Sequence, residues 1–245
     1  MYKFWDEMIK PIFLEENVKS ILEIGCESGR HTLKMLDYCL AKKAKLLSID
    51  PSPLFDADQL EAEYDFFKVI KNISLKELAN IENYDAVLID GDHNWYTVYH
   101  ELKMIENKAQ EQGKFPIVFL HDTDWPYGRR DMYYFPETIP EEFRKAYAKK
   151  GMLPGHIELI EADSELDQLS INKSLNNATI EGGEKNGVLT AVEDFLKESS
   201  FPLNFFNLNA NHGLGIIFQK SDRLLSVIES AAEKFKEAYE IENRK

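Results

Sequence analysis

Five short apolar runs, separated by helical patterns, constrain this chain more than any other feature. Ile21–Gly25, Leu46–Asp50, Phe66–Ile70, Asp85–Asp90 and Pro116–His121 each read as a strand. Between them, helical periodicity runs over Arg30–Lys42, Ala57–Tyr64, Leu75–Asn80 and Thr97–Gln112. The fourth and fifth runs contain the uninterrupted stretches AVLI and IVFL, as strands covered on both faces should. Strand–helix alternation with right-handed crossovers implies a doubly wound parallel sheet. A helix within residues 1–20, with Trp5, Met8, Ile9, Ile12 and Phe13 on its apolar face, should pack beside the first strand. Late in the chain, Gly187–Glu198 reads as a helix and Ser221–Glu240 as a long amphipathic one with Leu224, Leu225, Ile228 and Phe235 on its apolar side. Between these two helices, Phe205–Asn209 and Gly213–Gln219 are joined by only Ala210–His212, which implies an antiparallel hairpin. The expected fold class is α/β: a doubly wound, Rossmann-like seven-stranded sheet, mostly parallel with a C-terminal antiparallel hairpin strand and helices on both faces.

The first run leads directly into Gly25-Cys26-Glu27-Ser28-Gly29, and the second ends on Asp50. A strand, a glycine turn, a helix and a second strand ending in an acid form half of a nucleotide-type cofactor site. Glycine lets the backbone approach a ligand closely, and the acid can bond ribose hydroxyls. Asp90, Asp92, His93, His121 and Asp122 fall at the ends of the fourth and fifth strands, so they should converge on the ligand edge of the sheet.

The formal net charge of −14 argues against a nucleic-acid partner, because phosphate backbones require a basic surface. Arg144, Lys145, Lys149 and Lys150 form the best basic patch, read as a solvated helix face. Cys26 and Cys39 match neither a redox nor a zinc spacing and are expected to be reduced. No apolar run approaches a membrane span and the N-terminus has no secretory pattern, so the expected location is cytoplasmic. The 1–245 chain is expected to be a single domain, with an inserted acceptor or lid segment at about 124–185, too long for an ordinary connection. Trp125, Tyr127, Arg129, Arg130, Tyr133 and Tyr134 open that segment; aromatics and arginines there would suit a sugar or phosphorylated acceptor, or equally a loop packed on its own aromatics.

Glu23-Ile24-Gly25-Cys26-Glu27-Ser28-Gly29, Asp50, the Asn72-Ile73-Ser74-Leu75 stretch, Asp90-Gly91-Asp92-His93 and the late hairpin together resemble class I methyltransferases that use S-adenosylmethionine. Glu27 stands where the family motif has its middle glycine. The runs IDGDHNWYTV, IVFLHDT, GVLTAVEDFL and HGLGIIF are similar to a bacterial branch of sugar and glycan O-methyltransferases, and to cephalosporin hydroxylase. The resemblance implies S-adenosylmethionine as cofactor, with Glu23, Gly25, Gly29, Asp50, Ser74 and Asp90 at its site. It also implies O-methylation of a small hydroxylated or glycan-type acceptor.

For the chemistry, two uses of the strand-end cluster stay open. His93 or His121, with Asp92 nearby, can serve as general base. Alternatively, Asp90 and Asp122 can hold Mg2+ through oxygen ligands, although Thr123 stands where an acid or amide would complete the set. The rival readings are an NAD(P)-dependent reductase, weakened by the missing third glycine, and a non-catalytic binding or assembly module. In the latter, Ser221–Glu240 would pair with a second copy as a homo-oligomer; packing on its own sheet is the favoured reading.

Overall fold

The computed structural model describes residues 1–82 and 84–243. Its main sheet has seven strands in the order β3-β2-β1-β4-β5-β10-β9. They are β1 (Ser20–Ile24), β2 (Lys45–Ile49), β3 (Phe67–Ile70), β4 (Ala86–Ile89), β5 (Ile117–His121), β9 (Leu203–Leu208) and β10 (Leu214–Gln219). The first five are parallel, and β10 runs antiparallel to both β5 and β9. The predicted topology is therefore the observed one, with boundaries displaced by two residues or fewer at the strands.

Alternation along the strands divides the core into two. Ile21, Leu46, Leu88, Phe119 and Ile216 face one side, where they meet α2 (Arg30–Lys42), the N-terminal helical segment and α7 (Asp222–Asn243). Leu22, Ile49, Val87, Val118 and Ile217 face the other, against α5 (Trp95–Gln112) and α6 (Val188–Glu198). This two-sided burial is the physical reason the runs carry no polar interruptions. Two short helices, α3 (Ala57–Glu63) and α4 (Ser74–Glu77), complete the crossovers beside β3. The apolar face of α7 lies on this chain's own core, with Phe235 stacked on Phe4 at 4.9 Å.

The N-terminal helix is not the regular one the periodicity predicts. A π-helical stretch, Trp5–Ile9, precedes α1 (Lys10–Glu15). Pro11 has no N–H for the carbonyl of Glu7 four residues back, which favours a widened turn at this point.

The 124–185 segment is built around a second, three-stranded sheet in the order β6-β8-β7: β6 (Met132–Tyr133), β7 (Tyr147–Ala148) and β8 (Asn176–Ala178). Residues 144–150 hold part of this sheet and are not the helix face that the basic patch suggested. Arg130 has 0% exposure and gives its guanidinium to the carbonyls of Ala178 (2.5 Å) and Ile157 (2.6 Å). Asp131 is equally buried and accepts from the backbone N–H of Trp95 (2.7 Å) and of Gly187 (2.6 Å). One carboxylate thus caps the starts of α5 and α6 together and ties the insertion to the main sheet. Among the described residues no helix is long and apolar enough to cross a membrane.

Candidate active site

The strand order reverses between β1 and β4, and a cleft of about 600 Å3 opens above their carboxyl ends. Its size and position are those of a ligand site in an open α/β sheet. At the reversal the two backbones nearly touch. Gly25 has φ +84°, and a Cβ there would lie 2.3 Å from the carbonyl oxygen of Asp90. Only glycine fits such a crossing. Gly29 starts α2 in the left-handed region at φ +74°.

Asp50 holds this loop in place. Its Oδ2 accepts from the N–H of Cys26 (2.9 Å) and of Glu27 (2.9 Å), and its Oδ1 from the N–H of Ser52 (2.8 Å). The acid expected at the ribose is thus a three-point acceptor at the cleft wall, for two amides of the glycine loop and one of the turn after β2. Glu27 adopts φ +40°, the left-handed backbone that favours the missing glycine. The bond to Asp50, and one from the N–H of Leu54 to its carbonyl (2.7 Å), hold it there. Glu23 is buried below the loop and accepts from Ser48 Oγ (2.6 Å) and Thr32 Oγ1 (2.9 Å). His31 Nδ1 lies 3.4 Å from its other oxygen. Cys26 and Cys39 are free and buried; burial pushes both thiols up, that of Cys39 to about 12.

At the far side of β1, four residues from two strand ends converge. His121 Nδ1 lies 3.2 Å from Asp90 Oδ1 and 3.3 Å from Asp122 Oδ2; His93 Nδ1 lies 3.3 Å from the same Asp122 oxygen. The amino group of Met1 lies 2.8 Å from Asp90 Oδ2. Burial opposes charge on His121, but the two carboxylates overcome it and raise its pKa to about 9. Burial likewise disfavours the carboxylates. His121, the Met1 amine and His93 nevertheless hold Asp90 well below the usual range, and His93 and His121 lower Asp122. Asp122 sits at φ +58° immediately after β5, a left-handed turn that Asp tolerates better than most residues.

The Mg2+ expected on Asp90 and Asp122 does not fit this arrangement. Asp90, His93 and Asp122 do offer atoms within 4.8 Å of one another. Yet His121 Nδ1 already lies between the two carboxylates, 3.2 Å from Asp90 Oδ1 and 3.3 Å from Asp122 Oδ2. Thr123, where a further oxygen ligand would stand, gives its hydroxyl to Asn207 Oδ1 (2.6 Å) and is buried.

Asp92 turns toward the insertion. It accepts from Asn94 Nδ2 (2.5 Å), Thr97 Oγ1 (3.2 Å) and the N–H of Tyr134 (3.3 Å), which links the start of α5 to the cleft rim. Tyr134, Phe135, Thr138 and Ile139 line that rim. Of the aromatic and arginine residues singled out in sequence, Tyr134 alone reaches the cleft. Tyr127 is buried and stacks on His93 at 5.5 Å, and Tyr133 is buried in the small sheet. Arg129 forks onto Glu193 at 2.6 and 2.7 Å, and Arg130 is the interior strut described above. His212 turns the late hairpin at φ +72° with Nδ1 3.1 Å from the carbonyl of Trp125. Phe135 and Ile139 carried no sequence signal, because no periodicity organises that stretch. Glu101, beneath the cleft floor, was hidden among the polar residues of a helix.

Residues 22–123 match the family model of a methyltransferase domain, a span from β1 through the end of β5. Comparison with curated proteins finds no match. Among solved structures, the chain is similar to the S-adenosylhomocysteine-bound methyltransferase PaMTH1 of Podospora anserina, with 18% identity, 86% of this chain and 77% of that one covered, and a TM-score of 0.49. It is similar to the 1,6-didemethyltoxoflavin-N1-methyltransferase of Burkholderia thailandensis (12% identity, 89% and 79% covered, TM-score 0.47). A S-adenosylmethionine-dependent methyltransferase of Clostridium acetobutylicum gives 12% identity, 90% and 93% covered, and a TM-score of 0.46.

Proposed function

We propose that this chain is a S-adenosylmethionine-dependent methyltransferase that acts on a hydroxyl of a small, uncharged acceptor, of which a sugar or glycan-type hydroxyl is the favoured form. The observation that carries the reading is the single cleft that joins the Asp50-clamped glycine loop to the His93–Asp122 pair across β1. The methyltransferase-domain match of residues 22–123 supports it.

The glycine loop and Asp50 would hold S-adenosylmethionine, which would supply an electrophilic methyl group to the acceptor oxygen with the C–S electron pair left on sulfur. The chain's part is alignment and removal of one proton. His93 is the base in this reading. Its Nδ1 lies 3.3 Å from an Asp122 oxygen and Tyr127 stacks on its ring; in this reading Nε2 takes the acceptor proton. His121 is not the base at neutral pH, because the two carboxylates keep it protonated. Its role is to hold Asp90 and Asp122 in place. Asp92 sets the rim that carries Tyr134.

An uncharged acceptor is favoured in this reading because the two arginines of the insertion are not available to an anion. Arg129 and Arg130 are spent on Glu193 and on backbone carbonyls. Arg30, at the loop end, lies over the ring of Tyr2 at 4.5 Å. The acceptor end is lined instead by Asp90, Asp92 and Asp122 with His93 and His121 among them.

A calorimetric titration with S-adenosylhomocysteine tests the cofactor. Binding is expected; no heat and no thermal shift at millimolar ligand overturns the proposal. Tritiated S-adenosylmethionine with a panel of neutral sugars, polyols and sugar phosphates tests the acceptor. Preferential labelling of the phosphates would overturn the uncharged-acceptor reading and leave methyl transfer standing.

A further inference from the structure

The mechanism above leaves the buried acid nearest the cleft floor, Glu101, unused. It lies on α5 and has 0% exposure. Its Oε1 is hydrogen-bonded to Ser74 Oγ; its Oε2 is buried with no hydrogen-bond partner among the described residues. Ser74 lines the cleft. Beside it, Ile73 and Leu75 at the start of α4 line the cleft together with Ile49 and Leu54, an apolar slot suited to a flat heterocycle. The strand order puts this slot on the β3 side of the glycine loop and the acid–imidazole cluster on the β4–β5 side. A nucleoside-type ligand with its reactive end at His93 therefore places its base in the slot.

We propose that Glu101 is a positioning residue for that base: it acts through Ser74 and sets whether the serine hydroxyl presents a donor or an acceptor to the heterocycle. The inference rests on the methyltransferase reading. A neutral Glu101 donates its O–H to Ser74 Oγ, so the Ser74 hydrogen is free to bond a ring nitrogen of the base. An ionised Glu101 takes the Ser74 hydrogen and leaves only oxygen lone pairs facing the slot. The geometry favours the neutral form at physiological pH. Burial pushes the carboxyl up to about 8, against the bond from Ser74, and the neighbouring charge of Asp92 adds to the rise.

The probe is 5′-methylthioadenosine, which keeps the adenine and ribose but lacks the amino-acid end and its titrating groups. Its dissociation constant is measured from pH 6 to 10 for the native chain, Glu101→Gln and Ser74→Ala. The native chain is expected to weaken above about pH 8, by about five- to tenfold, the worth of one buried hydrogen bond. Glu101→Gln, whose amide donates at every pH, is expected to bind tightly throughout with no step. Ser74→Ala is expected to bind weakly throughout, also with no step. A step of undiminished size in Glu101→Gln overturns the proposal, as does a variant that alters only the melting temperature. Failure of both this probe and S-adenosylhomocysteine to bind the native chain at any pH overturns the methyltransferase reading and this inference together.

Discussion

Replacement of Asp50 by alanine distinguishes a loop clamp from a simple ligand contact. The carboxylate accepts three backbone N–H groups, those of Cys26, Glu27 and Ser52. A buried amide left without its acceptor costs about 1–3 kcal/mol, and charge-assisted bonds lie toward the upper end. The amide of Cys26 is buried, whereas those of Glu27 and Ser52 are partly exposed and recover water. The expected loss is about 3–5 kcal/mol, a large share of the roughly 5–15 kcal/mol that holds a domain together. At about 2–4 °C per kcal/mol for a chain of this size, the melting point should fall by about 10 °C. Asp50→Asn keeps one acceptor oxygen but turns an NH2 toward a donor, so its loss is intermediate. Urea unfolding followed by circular dichroism, with S-adenosylhomocysteine calorimetry on the same samples, separates stability from binding. If Asp50→Ala abolishes binding but unfolds within about 0.5 kcal/mol of the native chain, the range of ordinary surface changes, the clamp argument is wrong.

Three further outcomes follow from the geometry. Gly25→Ala forces a Cβ against the Asp90 carbonyl at φ +84° and should cost about 2–5 kcal/mol in urea unfolding, with loss of S-adenosylhomocysteine binding. His121 has its pKa raised from 6.5 to about 9, so the stability it contributes is complete below pH 6.5 and is lost as pH rises through 9. At about 1.4 kcal/mol per pH unit this is about 3 kcal/mol, and the stability difference between the native chain and His121→Gln should shrink by that amount between pH 6 and 9.5. Arg129→Gln removes a half-exposed fork on Glu193 and should change stability by less than about 1 kcal/mol and cofactor binding not at all; a large loss of binding would return Arg129 to the ligand site.

The main sheet was legible because its strands are short apolar runs covered on both faces, a pattern with no polar alternative reading. The late hairpin was legible because three residues between two strands admit only an antiparallel return. The convergence of Asp90, His93, His121 and Asp122 was legible for a related reason: each ends or follows a parallel strand, and parallel strands end at one edge. What each of them does there was not. That His121 bridges two carboxylates while His93 faces a single one is decided by contacts of 3.2 and 3.3 Å, beside a left-handed turn at Asp122 that sequence does not announce. The arginines of the insertion stayed open between ligand and packing roles for the same cause. In an irregular segment no period tells which side chain points inward, and only the structure shows Arg130, a residue type almost never buried, bracing the carbonyls of Ala178 and Ile157. A charged side chain beside a cleft therefore says little about the ligand until its own partners are known. Once Arg129 and Arg130 are paired within the chain, neither is left to argue for an anionic acceptor.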